Sequence, residues 1–237
     1  MLVTVASFLW FDPQGEHNSD YIYGPEDVRL LRRMVDRHLT VPHEFVCITD
    51  QPEAFDDIRT VRLDPAVRVP GLIFDKLMTF HPEAGVLIGS RILTMDLDCV
   101  VVGNMDRLVQ RDEPLVLWRN PGRQPWANPE GKGKTRALYN TSMVLLNAGT
   151  RPDIWTRFKP RNRGGDQDWV SEMVGADCPY WDGSDGVYRL GRLDTPGSGP
   201  RAVLPENARV VFFPGDKGKP WDSAIQAECP WIAGSRQ

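Results

Sequence analysis

Histidine is scarce in this chain and poorly distributed for catalysis. The four histidines, His17, His38, His43 and His81, all lie within the first 81 of the 237 residues. No GxSxG elbow accompanies them, which counts against a Ser-His-Asp hydrolase. A GxGxxG after the first apolar run and a P-loop are also missing, which counts against dinucleotide enzymes and kinases. The four cysteines, Cys47, Cys99, Cys178 and Cys229, are far apart and form no CxxC pair. That excludes zinc-finger spacing and favours buried free thiols in a reducing compartment. No apolar run reaches the length of about 18 residues that a spanning helix needs. The opening Met1-Leu2-Val3-Thr4-Val5 lacks the basic region of a signal peptide and reads as a first strand, so the cytoplasm is the expected location. A net charge of −4, with no basic cluster interleaved with aromatics, argues against a nucleic-acid partner.

What is present is an ordinary globular balance, 41% hydrophobic and 25% charged. The length suits one large domain, and no linker or internal repeat divides it. Leu2 to Trp10 is a β-rich run closed by Phe11-Asp12-Pro13-Gln14-Gly15, a turn signal. Pro25, Glu26 and Asp27 open a helix in which Val28, Leu31, Val35 and Leu39 recur at helical spacing. Glu44 to Asp50 is the next strand, giving β-α-β with parallel pairing. Strands are predicted at Ile58 to Leu63, Leu115 to Trp118, Tyr139 to Asn147 and Ala208 to Phe213. Short helices are predicted at Leu72 to His81, Asp153 to Phe158 and Trp169 to Val174, with a helical turn at Asn104 to Val109. Asn120 to Lys134 and Ala176 to Gly199 read as loops. The order implies one α/β domain over residues 1–237 with a loop-rich C-terminal part.

One stretch organises the rest: Arg91-Ile92-Leu93-Thr94-Met95-Asp96-Leu97-Asp98-Cys99-Val100-Val101-Val102-Gly103. Two acids inside an apolar run are costly unless something cancels their charge. A hard divalent cation would do so, and would keep positions open for phosphate. A strand-end turn with two solvated Asp is the competing reading. In open α/β sheets ligands gather beyond the carboxyl ends of strands, where Asp96, Asp98, Asn140 and the loop after Phe213 would meet. Lys76 and Lys219 could each approach phosphate as a point charge. This set suits a metal-bound diphosphate.

Five motifs in order, Lys76-Leu77, Asp96-Leu97-Asp98, Tyr139-Asn140-Thr141-Ser142, Gly165-Asp166-Gln167-Asp168 and Gly215 to Lys219-Pro220-Trp221, carry a likeness. Over Lys76 to Trp221 the chain resembles the retaining GT-A glycosyltransferases of the glycogenin and bacterial galactosyltransferase type. Tyr23-Gly24-Pro25-Glu26 resembles the opening of a group of uncharacterised bacterial members. The resemblance implies a single Rossmann-like mixed sheet flanked by helices, with a nucleotide-binding part over about 1–110 and an acceptor-side, closing-loop part over about 111–237. It implies a metal-dependent transfer of a hexose from a UDP-sugar to a glycan, lipid or protein acceptor. Asp96 and Asp98 would hold Mn²⁺ (or Mg²⁺) against the diphosphate, with Asp96-Leu97, Lys76, Lys219 and the Gly215 backbone contacting the donor. Asn140, Asp166 and Gln167 would surround the transferred sugar, with Asp166 and Gln167 steadying it in a front-face displacement. Tyr23 would stack on the base.

The chain departs from that pattern in two places. The family's histidine ligand near the Gly is replaced by Phe212-Phe213-Pro214-Gly215, which leaves Asp216 as the nearest acid, and the Gly of the Asn-x-Gly strand is Ser142. Each site residue also has a plainer reading: Lys76 as a solvated helix lysine, Asp166 as a helix cap, Asp168 as a structural first-turn acid, Tyr23 as packing. A non-catalytic sugar-nucleotide binder of the same fold is the alternative function. A sugar-1-phosphate nucleotidyltransferase would need a Gly-rich loop that Val5-Ala6-Ser7-Phe8-Leu9-Trp10 does not supply.

Overall fold

The structure is a computed structural model, and it describes residues 2–10, 23–64, 74–120, 137–160, 164–190, 203–213 and 219–235. Ten strands are found among these residues: β1 (Val3–Leu9), β2 (His43–Thr49), β3 (Arg59–Arg62), β4 (Arg91–Met95), β5 (Cys99–Val101), β6 (Leu115–Arg119), β7 (Tyr139–Asn147), β8 (Tyr180–Trp181), β9 (Val187–Arg189) and β10 (Val210–Phe212). Seven form a mixed sheet in the order β3-β2-β1-β4-β7-β6-β8, and three form a small sheet in the order β5-β10-β9. The β1–β2, β2–β3 and β1–β4 pairs are parallel, whereas β4–β7 and β6–β7 are antiparallel. The chain is wound outward from β1 to β3 and then resumes on the other side of β1 with β4. A crevice therefore opens at the carboxyl ends of β1 and β4.

Every residue of β1 and β4 is buried, because both faces of the sheet are covered. On one face, Val5, Cys47, Leu93 and Leu145 pack with Val28, Leu31, Met34 and Val35 of the helix Pro25–His38 and with Val100, Val211 and Phe212 of the small sheet. On the other, Ala6, Ile48, Ile92 and Leu146 meet Leu77, Met78, Ile154 and Val170. Each such fully buried aliphatic side chain contributes about 1.5–3 kcal/mol. Pro25 sits in the first turn of its helix, and Asp27 accepts a hydrogen bond from the Gly24 amide at 2.9 Å. That acid at the positive end of the helix follows the dipole as the sequence predicts, and Arg37 and His38 stand in the last turn.

Two expectations change in detail. Residues 75–80 are a 3₁₀ helix, Asp75–Phe80, rather than an α-helix from Leu72; 72 and 73 lie outside the described residues. The predicted loop from Ala176 contains β8, β9 and a 3₁₀ turn, Gly183–Asp185. These strands are too short to show a period, and their neighbours alone make them strands. Helices Ser223–Glu228 and Trp231–Ser235 close the chain. The loop at 121–134 and the turn at 11–15 lie outside the described residues. Among the described residues, no helix is long and apolar enough to cross a membrane.

All four cysteines are free thiols; Cys47, Cys99 and Cys229 are buried and Cys178 is half-buried. Burial pushes the Cys47 thiol up to about 12 and the Cys178 thiol up to about 11. A thiol kept protonated and covered does not attack a disulfide reagent. Titration with an aromatic disulfide at pH 8 is therefore expected to label no more than Cys178 in the native protein and all four thiols in guanidinium. Rapid native labelling of Cys47 would contradict this packing.

Candidate active site

The two acids of the central run stand where the chain passes from one sheet into the other. Asp96 still belongs to the large sheet: its amide donates to the Ser142 carbonyl at 2.9 Å, one step beyond the β4–β7 ladder. Asp98 already belongs to the small one, because its carbonyl accepts from the Phe213 amide at 2.8 Å, next to the β5–β10 pairing. Leu97, half-buried, bridges the corner and packs on the core. The apolar run thus continues in sequence, yet its two halves serve different sheets. The acids mark the crossing.

Each acid is met by a lysine. Lys76, from the 3₁₀ helix Asp75–Phe80, brings Nζ to 2.6 Å from Asp96 Oδ1 and 2.7 Å from Oδ2. Lys219 reaches back to Asp98 Oδ2 at 2.6 Å and donates a second bond to the Phe213 carbonyl at 2.7 Å. The Lys219 amide donates to Asp222 at 2.7 Å, which holds the start of this tail in place. Tyr23 lies edge-on to Trp221, ring centroids 5.4 Å apart, so the start of the first helix touches the same tail.

A third acid enters through a bulge. Leu117 pairs with Val144 but Trp118 pairs with Asn140, so β7 carries extra residues opposite β6. Bulges re-aim side chains and leave backbone groups to be satisfied. Here Asn140 does the satisfying: its Oδ1 accepts from the Ser142 amide at 2.8 Å, and its Nδ2 donates to Asn120 Oδ1 at 3.2 Å. Thr141, turned the other way, donates its hydroxyl to Asp166 Oδ2 at 2.5 Å. Asp166 opens the helix Asp166–Val174 and is buried, with Gln167 half-buried beside it. The Asp168 carboxylate accepts from the Gly165 amide at 3.3 Å, the structural first-turn role expected of it.

Burial pushes the Asp98 carboxyl above the ordinary range, and the neighbouring Asp96 charge adds to this against the pull of Lys219 and Lys76. Burial likewise raises Asp166, opposed by Lys76 and by the Thr141 hydroxyl. For Lys76, burial acts to lower its value, but Asp96, Asp166 and Asp98 together hold it above the usual lysine range. One ammonium is therefore shared electrostatically by three carboxylates. Removing it would leave charges buried without compensation.

Lys76, Asp96, Asp98, Lys219 and Asp166 thus converge on one crevice, with Gln167 adjoining. Tyr23 is brought to its tail-loop side. Asn140 is 4% exposed with its amide committed to the bulge, so its work is to shape the wall. Gly215 and Asp216 lie outside the described residues. Sequence reading missed the roles of Thr141, Asn120 and the Phe213 carbonyl. Thr141 was within a quoted motif, but nothing local says which way a bulged residue points. A divalent cation fits this donor set poorly. Among the described residues no group of three His, Cys, Asp or Glu side chains is arranged to hold a metal ion, and Asp96 and Asp98 are each already paired with an ammonium group.

No protein-family model and no curated protein matches the chain, but solved structures do. The galactosyltransferase LgtC, in complex with donor and acceptor sugar analogs, aligns at a TM-score of 0.57 and 12% identity over 100% of this chain and 97% of LgtC. An active-site mutant of LgtC gives 0.58 and 13%, covering 99% and 96%. The glycosyltransferase GlyE of Streptococcus pneumoniae TIGR4 gives 0.59 and 13% over 93% of this chain and 57% of GlyE, so the chain spans a little more than half of that protein. The fold is of the GT-A glycosyltransferase type.

The hydrogen bond from Ser142 to Asn140 makes a claim about stability without any ligand. Replacing Asn140 by Ala strands a buried amide, and is expected to lower unfolding free energy by about 1–3 kcal/mol. Urea denaturation of the ligand-free protein measures this. An unchanged midpoint would mean that the bulge does not depend on the side chain.

Proposed function

We propose that the chain is a retaining glycosyltransferase that moves a hexose from a UDP-sugar to an acceptor hydroxyl. The observation that carries this reading is the convergence of Lys76–Asp96, Lys219–Asp98 and Asp166 at the switch point of a GT-A-type sheet. The complex of LgtC with donor and acceptor sugar analogs supports it by analogy of fold. The same geometry argues against the solvated strand-end reading of the acids, since both are held in short ion pairs.

In this reaction the bond between sugar C1 and the β-phosphate oxygen breaks, and the electron pair stays on that oxygen. The acceptor oxygen forms the new bond to C1 from the same face, and its proton passes to the departing phosphate. Charge grows on the β-phosphate, so catalysis needs cationic donors aimed there in advance. Lys76 and Lys219 would supply them, each already oriented by its ion pair. Asp166 and Gln167 steady the sugar as C1 gains positive character. Thr141 keeps the buried Asp166 oriented, and a carboxylate so fixed stabilises an oxocarbenium-like centre better than a mobile one. Asp96-Leu97 lines the ribose and diphosphate, and Tyr23 packs at the base end beside Trp221.

The test is UDP release from a panel of UDP-hexoses, with and without simple acceptors. Asp98→Asn keeps the volume but loses the charge that orders Lys219. It is expected to lower turnover by at least about a hundredfold and to lower the thermal midpoint as well, because Lys219 loses its covered partner. Asp166→Asn is expected to lower kcat more than it raises KM. Wild-type turnover in Asp98→Asn would remove this crevice as the reaction site.

A further inference from the structure

The acids that the sequence marks as a metal pair are, in the folded chain, a pair of closed ion pairs. A dication bridging Asp96 and Asp98 would have to displace two ammonium groups whose side chains are each 12% exposed. Each displaced lysine would then need a new partner in a covered site. The gain would be small, because a Mn²⁺ or Mg²⁺ ion wants about six oxygen or nitrogen positions. Phe212-Phe213-Pro214-Gly215 offers no ligating side chain. Phe213 is buried in the core, and its carbonyl is already taken by Lys219.

Each lysine, by contrast, has a proton to spare. An ammonium carries three N–H donors. Lys76 donates one to Asp96 Oδ2 and keeps Oδ1 in ion-pair contact, and Lys219 donates one to Asp98 and one to Phe213. Among the described residues, at least one N–H of each meets no further partner. The carboxylates hold the two lysines in place, so these N–H groups are fixed before a ligand arrives, which is what preorganised stabilisation of a leaving group requires.

We infer that Lys76 and Lys219 themselves bind the donor's diphosphate, so that nucleotide binding needs no divalent cation. This rests on the UDP-sugar reading above. When the bond to C1 breaks, the electron pair left on the β-phosphate oxygen is met by the two remaining N–H groups. Asp96 and Asp98 act here as positioning residues, holding the lysines rather than a metal.

Calorimetric titration of UDP into the full chain, once in EDTA and once in MnCl₂, tests this. The two dissociation constants are expected to agree within about threefold. Manganese titrated alone is expected to leave the free-ion electron-paramagnetic signal undiminished. Binding that weakens at least about tenfold in EDTA, or a bound manganese signal, would overturn the inference and leave the UDP-sugar reading standing. No binding of UDP in either buffer would overturn both. Lys219→Met is expected to weaken UDP in EDTA by at least about thirtyfold, with Lys219→Arg recovering part of the loss. A Met variant that binds as the wild type does would overturn the assignment of Lys219. The wild-type titrations stand whether or not that variant folds.

Discussion

Two carboxylates sit at a corner where the backbone must leave one sheet and enter another, and the structure depends on neutralising them. Burying an unpaired carboxylate is among the most expensive things a fold can do. The chain meets that demand with lysines brought from far away in sequence, one from a short 3₁₀ helix and one from the C-terminal tail. The Asp98–Lys219 pair ties the tail to the corner between the sheets. The Asp96–Lys76 pair ties the 3₁₀ helix to the end of β4. Both long-range attachments exist because of the corner.

The wall opposite the corner is built by a different constraint. A bulge in β7 would leave an amide without a partner, and Asn140 supplies one from its own side chain. The same irregularity turns Thr141 toward the helix that begins at Asp166. Ser142, whose amide Asn140 holds, gives its carbonyl to the Asp96 amide. Positioning of the first acid and positioning of the third are therefore linked through three consecutive residues of one strand. A change in Asn140 should be felt at both.

Much of the architecture was legible from residue pattern. The helix Pro25–His38 announces itself by Pro25, by acids in its first turn and by an apolar stripe at 3.6-residue spacing. The strands β1, β2 and β4 are continuous apolar runs, as strands covered on both faces must be. The order of motifs from Lys76 to Trp221 pointed to the correct fold type at an identity of only 12–14% with the solved structures it matches. What stayed hidden was whatever has no period. β8 and β9, of two and three residues, are strands only because a neighbour offers hydrogen bonds. Arg91 reads as the polar start of a strand, yet it is 2% exposed, its guanidinium donating to the carbonyls of Glu113 and Arg111 and to Asn147.

The division between the two levels has a physical cause. Local sequence determined the longer helices and strands, where the acids lie and which lysines stand before and after them, because propensity and hydrophobic period act over a few residues. Asp166 and Gln167 were pointed to by the family resemblance rather than by any local period. Only the tertiary structure decided what each carboxylate touches, since a charge pairs with whichever opposite charge the packing brings within about 4 Å, whatever the separation along the chain. The same two Asp read as a cation site when considered alone and as lysine holders once the tail and the 3₁₀ helix are folded against them.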